Sequence, residues 1–268
     1  EGIGSFWFPQ YSELNIAGIP SFHEQPPLAF GIQSLFYKVL GDHVYVEKMY
    51  TFLMLCISSF LMVSIWHWVF RHDKTYKLFA WVPLLLWISI PVNFWTFQQN
   101  ILENTMVVFL LLSVLFILKA LDSERYRYPR LILGGLFIWA ATLTKGFPGF
   151  FTLVTPFVYW LCTRKISFRQ MAGFSILVLV VPVLLYTVLF LIPHCRKSLS
   201  IYLFDRVLMR IEQMPTSTWR LKMWWRLFNE LIPPLVIISG TVLTARVLKI
   251  KRSPFIYRSS FFFFLLTG

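Results

Sequence analysis

His23 and Glu24 stand directly ahead of Pro26 and Pro27, in the stretch Phe22-His-Glu-Gln-Pro-Pro-Leu28. Two consecutive prolines fix an extended approach, so the imidazole and the carboxylate are held rigidly ahead of the apolar run that begins at Pro26. Such a pair can ligate a divalent metal ion or take up a proton. Glu24 is equally suited to the N-terminus of the next helix, where the dipole favours an acid. Glu103 lies in the polar cluster Gln98-Gln-Asn-Ile-Leu-Glu-Asn104, which interrupts two apolar runs. It reads either as an acid at a helix start or as an acid sharing a cavity with Glu24. Lys145, in Thr142-Leu-Thr-Lys-Gly-Phe-Pro-Gly149, is the one charge between Arg130 and Arg164. A lysine there either snorkels to the membrane surface or meets an anionic headgroup. Arg206 and Arg210 are four apart and share a helical face, and a planar guanidinium suits bidentate phosphate binding. Contact with phospholipid headgroups would satisfy these arginines equally well.

What lies between these residues decides where they sit. Of the 268 residues, 57% are hydrophobic and 14% charged, and the mean hydropathy is +0.65. A soluble domain of this size has too little interior to hide that much apolar surface, so the chain is expected to be an integral membrane protein. A spanning helix needs about 20 mostly apolar residues. Runs that meet or approach this length are Tyr50–Phe70, Leu78–Trp95, Ile101–Leu118, Leu131–Leu143, Phe147–Cys162, Ala172–Ile192 and Leu231–Leu248. The fourth and fifth are separated by Thr144-Lys145-Gly146, which predicts a tight hairpin. An eighth run opens near Ser259. Pro26–Leu40 is apolar but too short to cross and predicts a helix lying in the interface.

The expected fold class is therefore all-α, a polytopic transmembrane bundle forming one domain over residues 1–268. An outer loop with the interfacial helix spans 1–49, six transmembrane helices span 50–192, and a second outer loop spans 193–230. One more transmembrane helix and the start of another occupy 231–268. The chain begins at Glu1 and ends within an apolar run, so it is expected to be a truncated piece of a longer protein.

The loops between runs alternate in charge. Arg71, Lys74, Lys77, Lys119, Arg125, Arg127, Arg130, Arg164, Lys165, Arg169, Arg246, Lys249, Lys251, Arg252 and Arg258 all fall on one side, with Asp73, Asp122 and Glu124 beside them. That side is expected to be cytoplasmic, which puts Glu24, Glu103, Lys145, Arg206 and Arg210 together on the outer side. The formal charge of +13 would suggest nucleic acid on a soluble chain, but the loop pattern accounts for it. Membrane lipids, and no nucleic acid, are the expected partners. Cys56, Cys162 and Cys195 show no paired spacing of a disulfide framework or zinc ribbon. No phosphate-binding Gly-rich loop, metalloprotease His-Glu-x-x-His or serine-hydrolase elbow occurs. Acids and bases gathered outside the membrane, without these motifs, point to a lipid-borne substrate.

The order of motifs resembles the membrane-embedded GT-C glycosyltransferases of the protein-mannosyltransferase and lipid A aminoarabinose-transferase type. The resemblance runs from Gly2-Ile-Gly-Ser-Phe-Trp-Phe-Pro9 through Phe22-His-Glu-Gln-Pro-Pro-Leu-Ala-Phe30 and Phe36-Tyr-Lys-Val-Leu-Gly41. It continues at Asn100-Ile-Leu-Glu-Asn104 and at the Leu143-Thr-Lys-Gly146 turn. The resemblance implies a GT-C bundle whose first outer loop roofs the active site. It implies transfer of a sugar from a polyprenyl-phosphate donor to lipid A, another glycan or a protein, on the periplasmic side of a bacterial inner membrane. By this likeness Glu24 belongs to the metal and substrate region, with His23 beside it as a second ligand for a divalent ion. Glu24 and Glu103 are the expected catalytic acids. Gln25, Lys145, Arg206 and Arg210 are expected around the donor phosphate, Gln25 standing where the family places a phosphate-binding lysine. The family's principal acid precedes the stretch matching Gly2, and Glu1 reads as an ordinary residue. Two other readings fit the same charges: a transporter or flippase for a lipid-linked anion, and a catalytically silent scaffold that binds headgroups.

Overall fold

The computed structural model of the chain describes residues 4–10, 21–209 and 220–247, and these are mostly helical. A two-stranded antiparallel ribbon opens them, β1 (Gly4–Ser5) paired with β2 (Phe8–Pro9) in the register Gly4 to Pro9 and Ser5 to Phe8. The helices are α1 (Leu28–Leu40), α2 (Val44–Val69), α3 (Lys74–Lys77), α4 (Trp81–Ile88), α5 (Pro91–Gln98), α6 (Leu102–Asp122) and α7 (Arg127–Lys145). A 3-10 segment (Phe147–Val154) leads into α8 (Thr155–Thr163), followed by α9 (Phe168–Leu191) and α10 (Pro193–Ser200). A π-helical segment (Ile201–Leu208) continues α10, and α11 (Arg220–Val247) ends the described residues.

Three of these, α2, α6 and α9, are long and apolar enough to cross a membrane. They correspond to the runs read at Tyr50–Phe70, Ile101–Leu118 and Ala172–Ile192. The core is built around α6, α7 and α9, where Ile117, Ala120, Leu131, Ile138, Ala141 and Val178 are fully buried. Adjacent glycines let α7 approach both neighbours. A Cβ at Gly134 would stand 2.7 Å from Ile117 Cγ1 of α6, and one at Gly135 would stand 2.7 Å from Val181 Cβ of α9. Real Cβ atoms do not approach that closely, so these positions set the interhelical spacing. Tyr50 and Thr105 share a 2.6 Å hydroxyl hydrogen bond that ties α2 to α6 within the buried interior.

The structure departs from the sequence reading in several places. Among the described helices only α2, α6 and α9 are long and apolar enough to cross, where seven complete runs are expected to. The run Phe147–Cys162 is a 3-10 segment followed by the nine-residue α8. The run Leu78–Trp95 is not one helix: α4 ends at Ile88 and α5 begins at Pro91. Pro91 has no N–H to continue α4 and drives Ile90 into an extended conformation, at φ −77° and ψ 115°. The Glu230 carboxylate of α11 accepts from Val92 N–H at 3.0 Å and caps the new helix. The segment 193–230, expected as a second outer loop, is helical over α10 and the π-helical segment and again from Arg220, in keeping with the helical spacing read at Arg206. The ribbon of β1 and β2 is a small addition to an all-α expectation. The helix expected over Pro26–Leu40 starts at Leu28, with Pro27 as its N-cap, and packs on α2, α6 and α7. The hairpin at Thr144-Lys145-Gly146 does form, with Gly146 at φ +85° reversing the chain into the 3-10 segment. The eighth run expected near Ser259 lies outside the described residues, as does Arg210.

Candidate functional site

Connectivity puts several of the candidate residues at one end of the bundle. The start of α6, the end of α7, the end of α9 with α10, and the residues leading into α1 all meet there. Glu103 falls in the first turn of α6 and Lys145 in the last turn of α7, each where the helix dipole favours its charge. The two side chains form an ion pair. Glu103 and Lys145 thus hold the start of α6 against the end of α7. The Oε1 atom of Glu103 takes the lysine, while its Oε2 atom is buried with no hydrogen-bond partner among the described residues.

The second pair joins the residues ahead of α1 to the π-helical segment. Arg206 Nη1 lies 4.0 Å from Glu24 Oε1, and both side chains are about a third exposed. That distance is at the limit of an ion pair, so the guanidinium is oriented toward the acid without being locked to it. Tyr202, four residues earlier on the same segment and nearly buried, packs its hydroxyl against Gly146. Burial raises its pKa above the ordinary phenol value. Tyr202 thus sets the Arg206–Glu24 pair on top of the turn that carries Lys145.

His23 is 5% exposed. Its Nδ1 lies 3.3 Å from Ser198 Oγ of α10, and its Nε2 is buried with no partner among the described residues. Phe8 of β2 covers it edge to face at 5.1 Å and also meets His194, so the ribbon roofs this corner. Burial, and after it the Arg206 charge, holds the His23 pKa below the ordinary imidazole value. Gln25 is half-buried and makes no hydrogen bond to these residues among those described. The structure therefore brings His23, Glu24, Arg206, Glu103 and Lys145 to one end, and leaves Gln25 beside them without a hydrogen bond to either pair among the described residues.

The expected metal pair does not fit a resident ion on its own. His23 and Glu24 supply two donors, Glu24 is oriented toward Arg206, and no group of three or more His, Cys, Asp or Glu side chains forms among the described residues. A zinc site takes at least three protein ligands, so these two side chains do not make one by themselves.

Ser198 and Tyr202 belong to the site without standing out by type or spacing, and Gly146 stands out only as part of the turn at Thr144-Lys145-Gly146. Only Gly146 carried a signal, as the residue after Lys145 in a turn that needs positive φ. Compared with known proteins, the chain matches no family model, no curated protein and no solved structure.

Proposed function

We propose that this protein is a membrane-embedded glycosyltransferase that moves a sugar from a polyprenyl-phosphate donor to a lipid, glycan or protein acceptor. We propose further that it works on the periplasmic side of a bacterial inner membrane. The observation that carries the reading is the meeting, at one end of an apolar helical bundle, of two acid–cation pairs with buried polar atoms left over. A structural ion pair satisfies its atoms, whereas Glu103 Oε2 and His23 Nε2 are held ready without partners among the described residues. In this reading Glu24 or Glu103 orients the acceptor hydroxyl and accepts its proton as it attacks the anomeric carbon. The bond from that carbon to the phosphate oxygen breaks, and the electron pair leaves with the polyprenyl phosphate. Arg206 and Lys145 oppose the charge that builds there. The placing of the Arg206 guanidinium 4.0 Å from Glu24, beside the proposed acid, supports this role. The donor's chain lies against the exposed phenylalanines and leucines of the helices.

The test is transfer of radiolabel from a polyprenyl-phosphate sugar by the full-length protein in vesicles. Glu24→Gln and Glu103→Gln should each lower the rate about 100-fold or more. Normal rates in both would overturn the assignment.

One observation favours the transporter reading as a second possibility. The break between α4 and α5, capped by Glu230, is the kind of discontinuous helix that lines substrate paths in transporters. Translocation of the labelled lipid across the vesicle membrane without sugar transfer would support it.

A further inference from the structure

The opposite end of the bundle carries an arrangement that the transferase reading does not use. The chain leaves α2, makes the short helix α3 and passes into α4 at Trp81. This turn is built rather than loose. Asp73 Oδ1 accepts from the N–H groups of Thr75 and Tyr76 at 2.9 and 3.1 Å. Trp66 Nε1 donates to the Tyr76 carbonyl at 2.8 Å. Trp66, Phe70 and Ala80 form a small buried cluster with Tyr76 packed against it.

Fixing the inner side of the turn determines what it presents outward. Lys74 and Lys77 are three apart, share a side and are both exposed. Directly after them Leu78, Phe79 and Trp81 are 78%, 43% and 56% exposed. The acids at this end are already engaged. Asp73 caps α3, Asp122 meets Arg71 and Lys165, and Glu124 lies 3.7 Å from Arg127. Lys74 and Lys77 thus have no acidic partner among the described residues. Exposed Arg125, Arg164 and Arg169 extend the positive surface around the same end.

Two ammonium groups without a counter-charge, continuous with three exposed apolar side chains at the end of a membrane-spanning helix, need a partner of mixed character. A free phosphate would satisfy the lysines and leave the apolar side chains wet. A phospholipid satisfies both, with its phosphate between the lysines and its acyl chains on Leu78, Phe79 and Trp81. We propose that the Lys74–Trp81 turn is a binding site for the headgroup of an anionic bilayer phospholipid.

Native mass spectrometry of the full chain, purified with equal amounts of phosphatidylglycerol and phosphatidylcholine, reads this directly. The wild-type protein should retain phosphatidylglycerol in preference. The double variant Lys74→Gln/Lys77→Gln should lower that ratio about tenfold, and Lys74→Arg/Lys77→Arg should restore it. Lys38→Gln/Lys197→Gln, which removes two exposed lysines elsewhere, should leave it unchanged. If the double glutamine variant fails to fold, the single variants Lys74→Gln and Lys77→Gln are read in the same way, each expected to lower the ratio about threefold. Retention without preference in the wild type, or an unchanged ratio in the glutamine variants, would overturn the proposal.

Discussion

At the end of the bundle that holds Asp122, this nearly buried carboxylate faces Arg71 and Lys165 and also accepts from the Tyr159 hydroxyl at 3.5 Å. Arg127 and Arg130 donate to the last carbonyls of α6, at 3.2 Å to Ala120 and 3.0 Å to Lys119. Arg71 and Lys119 lie over the Trp68 ring, at 4.5 and 5.6 Å from its centroid. Charge there finishes helix ends and ties loops together. At the other end, Glu24 faces Arg206 at arm's length, Glu103 offers one oxygen to Lys145 and keeps the other unpartnered among the described residues, and His23 likewise buries an unpartnered ring nitrogen. The same residue types are partnered in the first place and leave Glu103 Oε2 and His23 Nε2 unpartnered among the described residues in the second. Polar satisfaction, rather than charge count, separates the two.

This contrast is open to attack at several points. Asp122→Ala leaves Arg71 facing a nearly buried gap and should cost about 3 kcal/mol of stability. Thermal unfolding in detergent checks this, and a loss no larger than at the other end would erase the distinction. Gly146→Ala puts a Cβ into the Tyr202 hydroxyl at a positive-φ position and should cost about 2 kcal/mol. Combining it with Tyr202→Ala should recover part of that loss, and the double-mutant cycle measures the coupling. Glu103→Gln should cost only about 1 kcal/mol, because Glu103 and Lys145 are both partly exposed and water screens the pair.

The smallest expected effect is a pH dependence at His23. Its folded pKa lies below the ordinary imidazole value of 6.5. Above 6.5 the imidazole is neutral in both states, and its contribution to stability is fully present. As the pH falls below 6.5 the unfolded chain takes up a proton that the folded chain resists, so stability declines toward the lowered folded value. Melting at pH 7.5 and 5.5 should therefore differ less in His23→Gln than in the wild type.

Much of the helical plan was legible in the sequence because long apolar helices declare themselves by length and apolarity alone. The α2, α6 and α9 spans and the reversal at Gly146 follow from local composition. The break at Pro91 was also written locally, since proline removes a donor and restrains its predecessor, but an unbroken apolar run masks it. The capping by Glu230 could not be read, because it joins residues 138 apart. At the site, Glu24, Glu103, Lys145 and Arg206 stood out as charges beside apolar runs. The pairing of Glu103 with Lys145 and of Glu24 with Arg206 depends on how α6, α7 and the π-helical segment come together. Tyr202 gave no local signal at all, since its role rests on a contact with Gly146 that only packing creates.

In the proposed function, the end holding Glu24 and Glu103 works while the end holding Asp122 supports. Melting and sugar transfer from a polyprenyl-phosphate donor, measured together on Glu24→Gln, Glu103→Gln and Asp122→Asn, test this division most directly. The two glutamine variants should melt near the wild type and lose transfer about 100-fold. Asp122→Asn should melt lower and keep its transfer rate per folded molecule. Glutamine variants that transfer normally, or an Asp122→Asn protein that stays stable but loses transfer, would contradict it.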